Sequence, residues 1–128
     1  MIERILQEIE ILQKQYGELE YDPNGSWVIF KKFKLPHGWS SEHTELMILI
    51  QSGYPSIPPD NFFVPIGFKL TNGNQIGNYS EPVTHLNRPW GQFSYHIDGE
   101  WNPSTNILEG DNLMSFMLKV RDRLKEAS

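Results

Sequence analysis

Residues 44–70 read TELMILIQSGYPSIPPDNFFVPIGFKL, two apolar runs on either side of a proline-rich corner. The first run, residues 44–51, has the composition of a strand and is closed by Ser52 and Gly53. The second, residues 61–70, reads as another strand, and Pro65 within it marks an edge or a bulge because proline has no N–H for the ladder. Between them, Tyr54-Pro55-Ser56-Ile57-Pro58-Pro59 is a stiff turn. Each proline fixes its own φ and holds the residue before it extended.

Working outward, residues 26–33 carry Trp27, Val28, Ile29, Phe30 and Phe33 after the turn Asp22-Pro23-Asn24-Gly25, which adds a strand and makes an antiparallel meander. Upstream, Ile2, Ile5, Leu6, Ile9 and Leu12 recur at helical spacing, with Glu3, Gln7, Glu8 and Glu10 opposite. That pattern predicts an amphipathic helix over residues 2–16, ended by Gly17. Downstream, residues 71–105 hold many of the glycines together with Pro82, Pro89 and Pro103 and keep no regular period. They read as one long loop, anchored by Tyr79, Trp90, Phe93, Tyr95 and Trp101. Asp111 then N-caps a last helix in which Leu113, Met117, Val120 and Leu124 share a face, and Lys119, Arg121, Arg123 and Lys125 suit its C-terminal dipole. The fold class expected is α+β: N-terminal helix, antiparallel β-meander, long loop and C-terminal helix, as one domain over residues 1–128.

Composition narrows the function. An apolar share of 38% and an aromatic share of 12% suit a globular core. A net charge of -5, without Lys/Arg clusters among aromatics, argues against nucleic acid. No apolar run is long enough to span a membrane and no signal core is present, so the expected location is the cytoplasm. The count of cysteines is 0, which excludes a disulfide framework, a thiolate zinc site and a thiol nucleophile. His37, His43, His85 and His96 form no ligand pair at helical spacing, so neither a metal nor another cofactor is expected. Asp98 and Glu100 read as turn residues around Gly99 and not as a glycosidase pair.

Three patterns, in order along the chain, resemble the ubiquitin-conjugating enzyme (UBC) family. Tyr54, Pro55, Pro58 and Pro59, followed by Phe62 and Phe63, are similar to the family's Tyr-Pro-x-x-Pro-Pro-x-x-x-Phe turn. His85-Leu86-Asn87 resembles its His-Pro-Asn signature, with Leu86 as the departure. Phe93-Ser94-Tyr95-His96-Ile97, then Trp101-Asn102-Pro103, resembles the active-site segment, in which an apolar-flanked cysteine is followed by Trp-x-Pro. Ser94 falls at the acceptor-cysteine position. The family's final two helices are missing, and such compact forms resemble its prokaryotic branch, encoded beside activating enzymes, ubiquitin-like proteins and deconjugating peptidases. The resemblance therefore implies a conjugating transferase whose partners are a ubiquitin-like protein, an activating enzyme and a target protein. The family's first helix docks the activating enzyme through basic residues, whereas this one carries Glu3, Glu8 and Glu10 against Arg4 and Lys14.

Serine at that position needs help that cysteine does not, because its hydroxyl requires a base and its ester is less reactive toward amines. In extended backbone Ser94 and His96 project to one face, which makes His96 a candidate base. His85 is the other candidate, Asp98 is placed to orient either ring, and Asn87 is the candidate oxyanion donor. Two other readings stay open: a noncatalytic variant that binds a ubiquitin-like protein or a conjugation partner, and a serine substituted for a natural cysteine. A binding module would expose an apolar patch on the strands, with Trp39 and Trp90 the aromatics to inspect.

Overall fold

The computed structural model describes residues 2–97 and 99–127. Among these the chain forms α1 (Ile2–Tyr16), β1 (Leu19–Asp22), β2 (Trp27–Lys34), β3 (His43–Leu49), β4 (Phe62–Pro65), β5 (Tyr79–His85), β6 (Arg88–Phe93) and α2 (Leu113–Ala127). The strands build one antiparallel sheet in the order β1-β2-β3-β4-β6-β5. The α+β architecture is that of a UBC-like fold.

Both helices cover one face of this sheet. Ile5, Ile9 and Leu12 of α1 and Leu113, Phe116, Met117, Val120 and Leu124 of α2 meet Val28, Phe30, Leu46, Ile48, Phe62, Val64 and Phe93 in one core. The alternation of strand side chains sends Ile29, Met47, Phe63 and Trp90 to the opposite face, where they bury one another. Arg88 closes that second cluster: its guanidinium lies 3.8 Å from the Trp90 ring centroid and pairs with Glu45 at 2.8 Å.

Several sequence expectations need correction. The segment 71–105 is not a single loop, because β5 and β6 form a hairpin inside it. Leu86 and Asn87 make its turn, with φ of 55° and 58°, the positive pair that a tight two-residue hairpin turn demands. β1 is a further strand, and β4 is shorter than residues 61–70 suggest, stopping at Pro65 before the turn at Gly67. Within α1, Glu8 is not on the outer face but fully buried, whereas Leu6 is exposed. The N-cap of α2 is Asn112, not Asp111: Asn112 Oδ1 accepts the Ser115 N–H at 2.8 Å while Ser115 Oγ accepts the Asn112 N–H at 2.9 Å. Trp39 and Trp90 are buried, so neither contributes to an exposed patch.

The proline corner is tied in from three sides. Tyr54 is buried, and its hydroxyl donates to Glu8 Oε1 at 2.6 Å. The same oxygen accepts the Leu113 N–H, the first of α2, at 2.7 Å, and Arg4 Nε donates to Glu8 Oε2 at 2.9 Å. A carboxylate at a helix N-terminus satisfies an orphan donor and complements the helix dipole. One buried side chain thus joins α1, the corner and α2.

Candidate active site

The corner and the end of β6 meet at residues 60–61 and 94–96. Phe93 closes β6 with its ring stacked on Phe62, centroids 4.6 Å apart, and the Ser94 N–H donates to the Asn78 carbonyl at 2.8 Å. Next comes a two-point clamp. The Asn61 N–H donates to the Tyr95 carbonyl at 2.8 Å, and the Tyr95 N–H donates to Asn61 Oδ1 at 2.9 Å. Asn61 adopts φ of 61°, the left-handed conformation that asparagine tolerates better than other side-chain-bearing residues.

The Tyr95 ring turns inward, 6.0 Å from Phe62 and 6.2 Å from Phe116. Its neighbours Ser94 and His96 are therefore the outward pair, and both are exposed. His96 Nδ1 is in close contact with Asp60 Oδ1, across 36 residues of sequence. Among the described residues no hydrogen bond joins the Ser94 hydroxyl to either candidate histidine. Asp98, the expected orienting carboxylate, lies outside the described residues.

His85 and Asn87 are elsewhere. The hairpin register pairs Tyr79 with Phe93 and His85 with Arg88, so the Leu86-Asn87 turn lies at the end of the hairpin opposite Ser94. With the length of β6 between them, the separation along the strand is roughly 20 Å. His85 has a structural position: its ring meets Phe63 at 4.7 Å and its carbonyl accepts the Trp90 indole N–H at 3.0 Å. Asn87 is exposed at the tip. The asparagines next to Ser94 are Asn61 and Asn78, which do not match the His-Pro-Asn spacing and which sequence reasoning passed over.

Trp101 and Pro103 hold the chain after the site. The Trp101 indole N–H donates to the Pro55 carbonyl at 2.8 Å, so two of the quoted motifs are in direct contact. Asn102 N–H donates to Asp111 Oδ2 at 2.8 Å, Asp111 N–H returns to the Asn102 carbonyl at 2.9 Å, and Pro103 bridges to Gly110 and Asp111. These bonds fasten an irregular segment to the start of α2. The surface depression of about 460 Å³ between Lys34 and Thr71 includes none of Ser94, His96 or Asp60 in its lining.

The family model described as Prokaryotic E2 family E matches residues 5–127. The chain belongs to Prokaryotic E2 family E. No curated protein and no solved structure matches it. Membership in an E2 family ties the chain to ubiquitin-like conjugation, and in general terms to ubiquitin-like proteins and their activating enzymes. As a member of Prokaryotic E2 family E it carries its E2-like fold with one helix after the site, α2, among the described residues. No helix of the described residues is long and apolar enough to cross a membrane.

Proposed function

We propose that this protein is an acyl carrier of ubiquitin-like conjugation in which Ser94 accepts the C-terminal acyl group of a ubiquitin-like protein from an activating enzyme. Ser94 Oγ attacks the activated carbonyl carbon while His96 Nε2 takes the hydroxyl proton and hands it to the leaving group. The product is an oxyester, which a target amine then attacks to give an amide and restore the serine hydroxyl. The observation that carries this reading is the clamp on Tyr95. With that residue fixed between Asn61, Phe62 and Phe116, its two sequence neighbours Ser94 and His96 are both exposed.

A noncatalytic role in binding a ubiquitin-like protein draws on the lack, among the described residues, of a hydrogen bond from the Ser94 hydroxyl to His85 or His96. Catalytic hydrogen bonds often tighten only in the reacting complex, so the acyl-carrier reading keeps priority. Trp39 and Trp90 are buried and so are not available to a strand-face binding module, whereas Ile66 and Leu86 are exposed. On α1, Glu3 and Glu10 are exposed, while Arg4 turns inward to Glu8 and the Ser104 carbonyl. An activating enzyme docking on this helix would present a basic surface.

The test is intact-protein mass spectrometry after incubation with ATP, the activating enzyme and the ubiquitin-like protein of the same conjugation system. The expected result is an adduct of one modifier mass that hydroxylamine removes and that Ser94→Ala abolishes. A wild-type protein that binds the modifier without forming an adduct would assign the noncatalytic role instead.

A further inference from the structure

The contact between Asp60 and His96 follows from the clamp beside it. Asn61 grips Tyr95 through both its main chain and its side chain. Asp60 stands one residue before the grip on one segment, and His96 one residue after it on the other. This register sets the Asp60 carboxylate against the imidazole at Nδ1. Among the described residues, neither the other oxygen of Asp60 nor His96 Nε2 has a hydrogen-bond partner. The pair is open to water, with side-chain exposures of 37% for Asp60 and 74% for His96, so it contributes little to folding stability.

A neutral imidazole has one N–H and one lone pair, and the group facing one nitrogen decides which is which. A carboxylate at Nδ1 favours the Nδ1–H tautomer and leaves the lone pair on Nε2, pointing away from Asp60. We infer that Asp60 is the positioning residue for the base that serves Ser94: it holds the His96 ring, selects its tautomer and stabilises the imidazolium formed when Nε2 accepts the Ser94 proton. This inference rests on the reading of Ser94 as an acylated nucleophile. In the step itself the Oγ–acyl bond forms, the bond to the leaving group breaks, and the proton passes from Oγ to Nε2 to the leaving group. Asp60 stays ionised throughout, the role of the third member of a serine triad. Asp60 belongs to the end of the proline corner, and nothing in its spacing from His96 announces the pairing.

A fluorophosphonate probe tests both levels, since an activated serine hydroxyl displaces its fluoride to form a stable adduct. With wild type and Ser94→Ala compared by intact mass, adduct formation that depends on Ser94 supports an activated nucleophile. Its absence from wild type overturns the reading of Ser94 and this inference with it. Given labelling, Asp60→Asn is expected to slow it roughly tenfold to a hundredfold, less than the full contribution of a positioned general base because the base itself remains. Asp60→Glu recovers most of the rate, and the melting temperature stays at the wild-type value. The 15N shifts of the His96 ring, read from the folded protein, lose Nδ1–H tautomer in Asp60→Asn and keep it in Asp60→Glu. Wild-type labelling by Asp60→Asn would overturn the role of Asp60 alone and leave Ser94 standing. A slow Asp60→Asn with an unchanged tautomer and no recovery in Asp60→Glu would also overturn it, by assigning Asp60 a merely structural part.

Discussion

Asn61 lies nearer to Ser94 in the fold than Asn87, the asparagine the motif points to. It spends its main-chain N–H and its side-chain oxygen on Tyr95, and its φ of 61° lets both face the same residue. Alanine there removes one hydrogen bond and keeps the left-handed backbone without asparagine's tolerance for it. Asn61→Ala is therefore expected to destabilise the fold by about 1–3 kcal/mol, read from the denaturant midpoint, and to slow acylation of Ser94 as well. Asn87→Ala, at the far end of the hairpin, is expected to leave the rate of Ser94 adduct formation within twofold of wild type. Equal losses in the two variants would return Asn87 to the site.

At the scale of elements, the β5–β6 hairpin delivers Ser94, because β6 ends one residue before it and pairs with β4 on one side and β5 on the other. Its turn is made from an unsuitable residue. Leu86 sits at φ of 55°, where a branched aliphatic side chain is strained and asparagine or glycine is preferred. Leu86→Asn is expected to stabilise the protein by about 0.5–1 kcal/mol, seen as a raised melting temperature, and to leave Ser94 chemistry unchanged. A lowered melting temperature would mean that the side chain of exposed Leu86 makes a packing contact that outweighs its strain.

Glu8 gives the whole molecule its integrity around the site. It is fully buried, and Arg4, Tyr54 and the first N–H of α2 all donate to it, so helix, corner and helix share one carboxylate. Glu8→Ala leaves the buried Tyr54 hydroxyl without its acceptor and the partly buried Arg4 without its carboxylate, and is expected to cost about 3–5 kcal/mol of unfolding free energy by chemical denaturation. The same contact sets an alkaline limit. Burial first, then the hydrogen bond to Glu8, pushes the Tyr54 hydroxyl well above the usual phenol range, and burial with the bond to Glu81 does the same for Tyr79. A raised folded value means the fold keeps its proton while the unfolded chain releases it. Stability is therefore complete below about pH 10 and falls as the pH climbs past it. The denaturant midpoint should drop across that window, and Tyr54→Phe should flatten part of the drop.

Much of this was legible in the sequence because it depends on local chemistry. Helical spacing from Ile2 to Leu12 ended by Gly17 and apolar runs around Pro55, Pro58 and Pro59 announce α1 and the central strands, and the resemblance to an E2-like family agrees with the family match over residues 5–127. The hairpin escaped because Pro82 and Pro89 argue against strands. Yet β5 lies at the sheet edge and Pro82 falls where the register slips, the places where a missing N–H is tolerated. Glu8 lies opposite the apolar stripe by periodicity, which marks the polar side of a helix and not what a neighbouring helix presents to it. The Asp60–His96 contact required the register between Asn61 and Tyr95, which only the folded sheet sets. The sequence by itself determined which residue types are available to react and that α1, α2 and the central strands form. Tertiary structure decided which of those residues meet, because that depends on long-range register, and no local pattern encodes it.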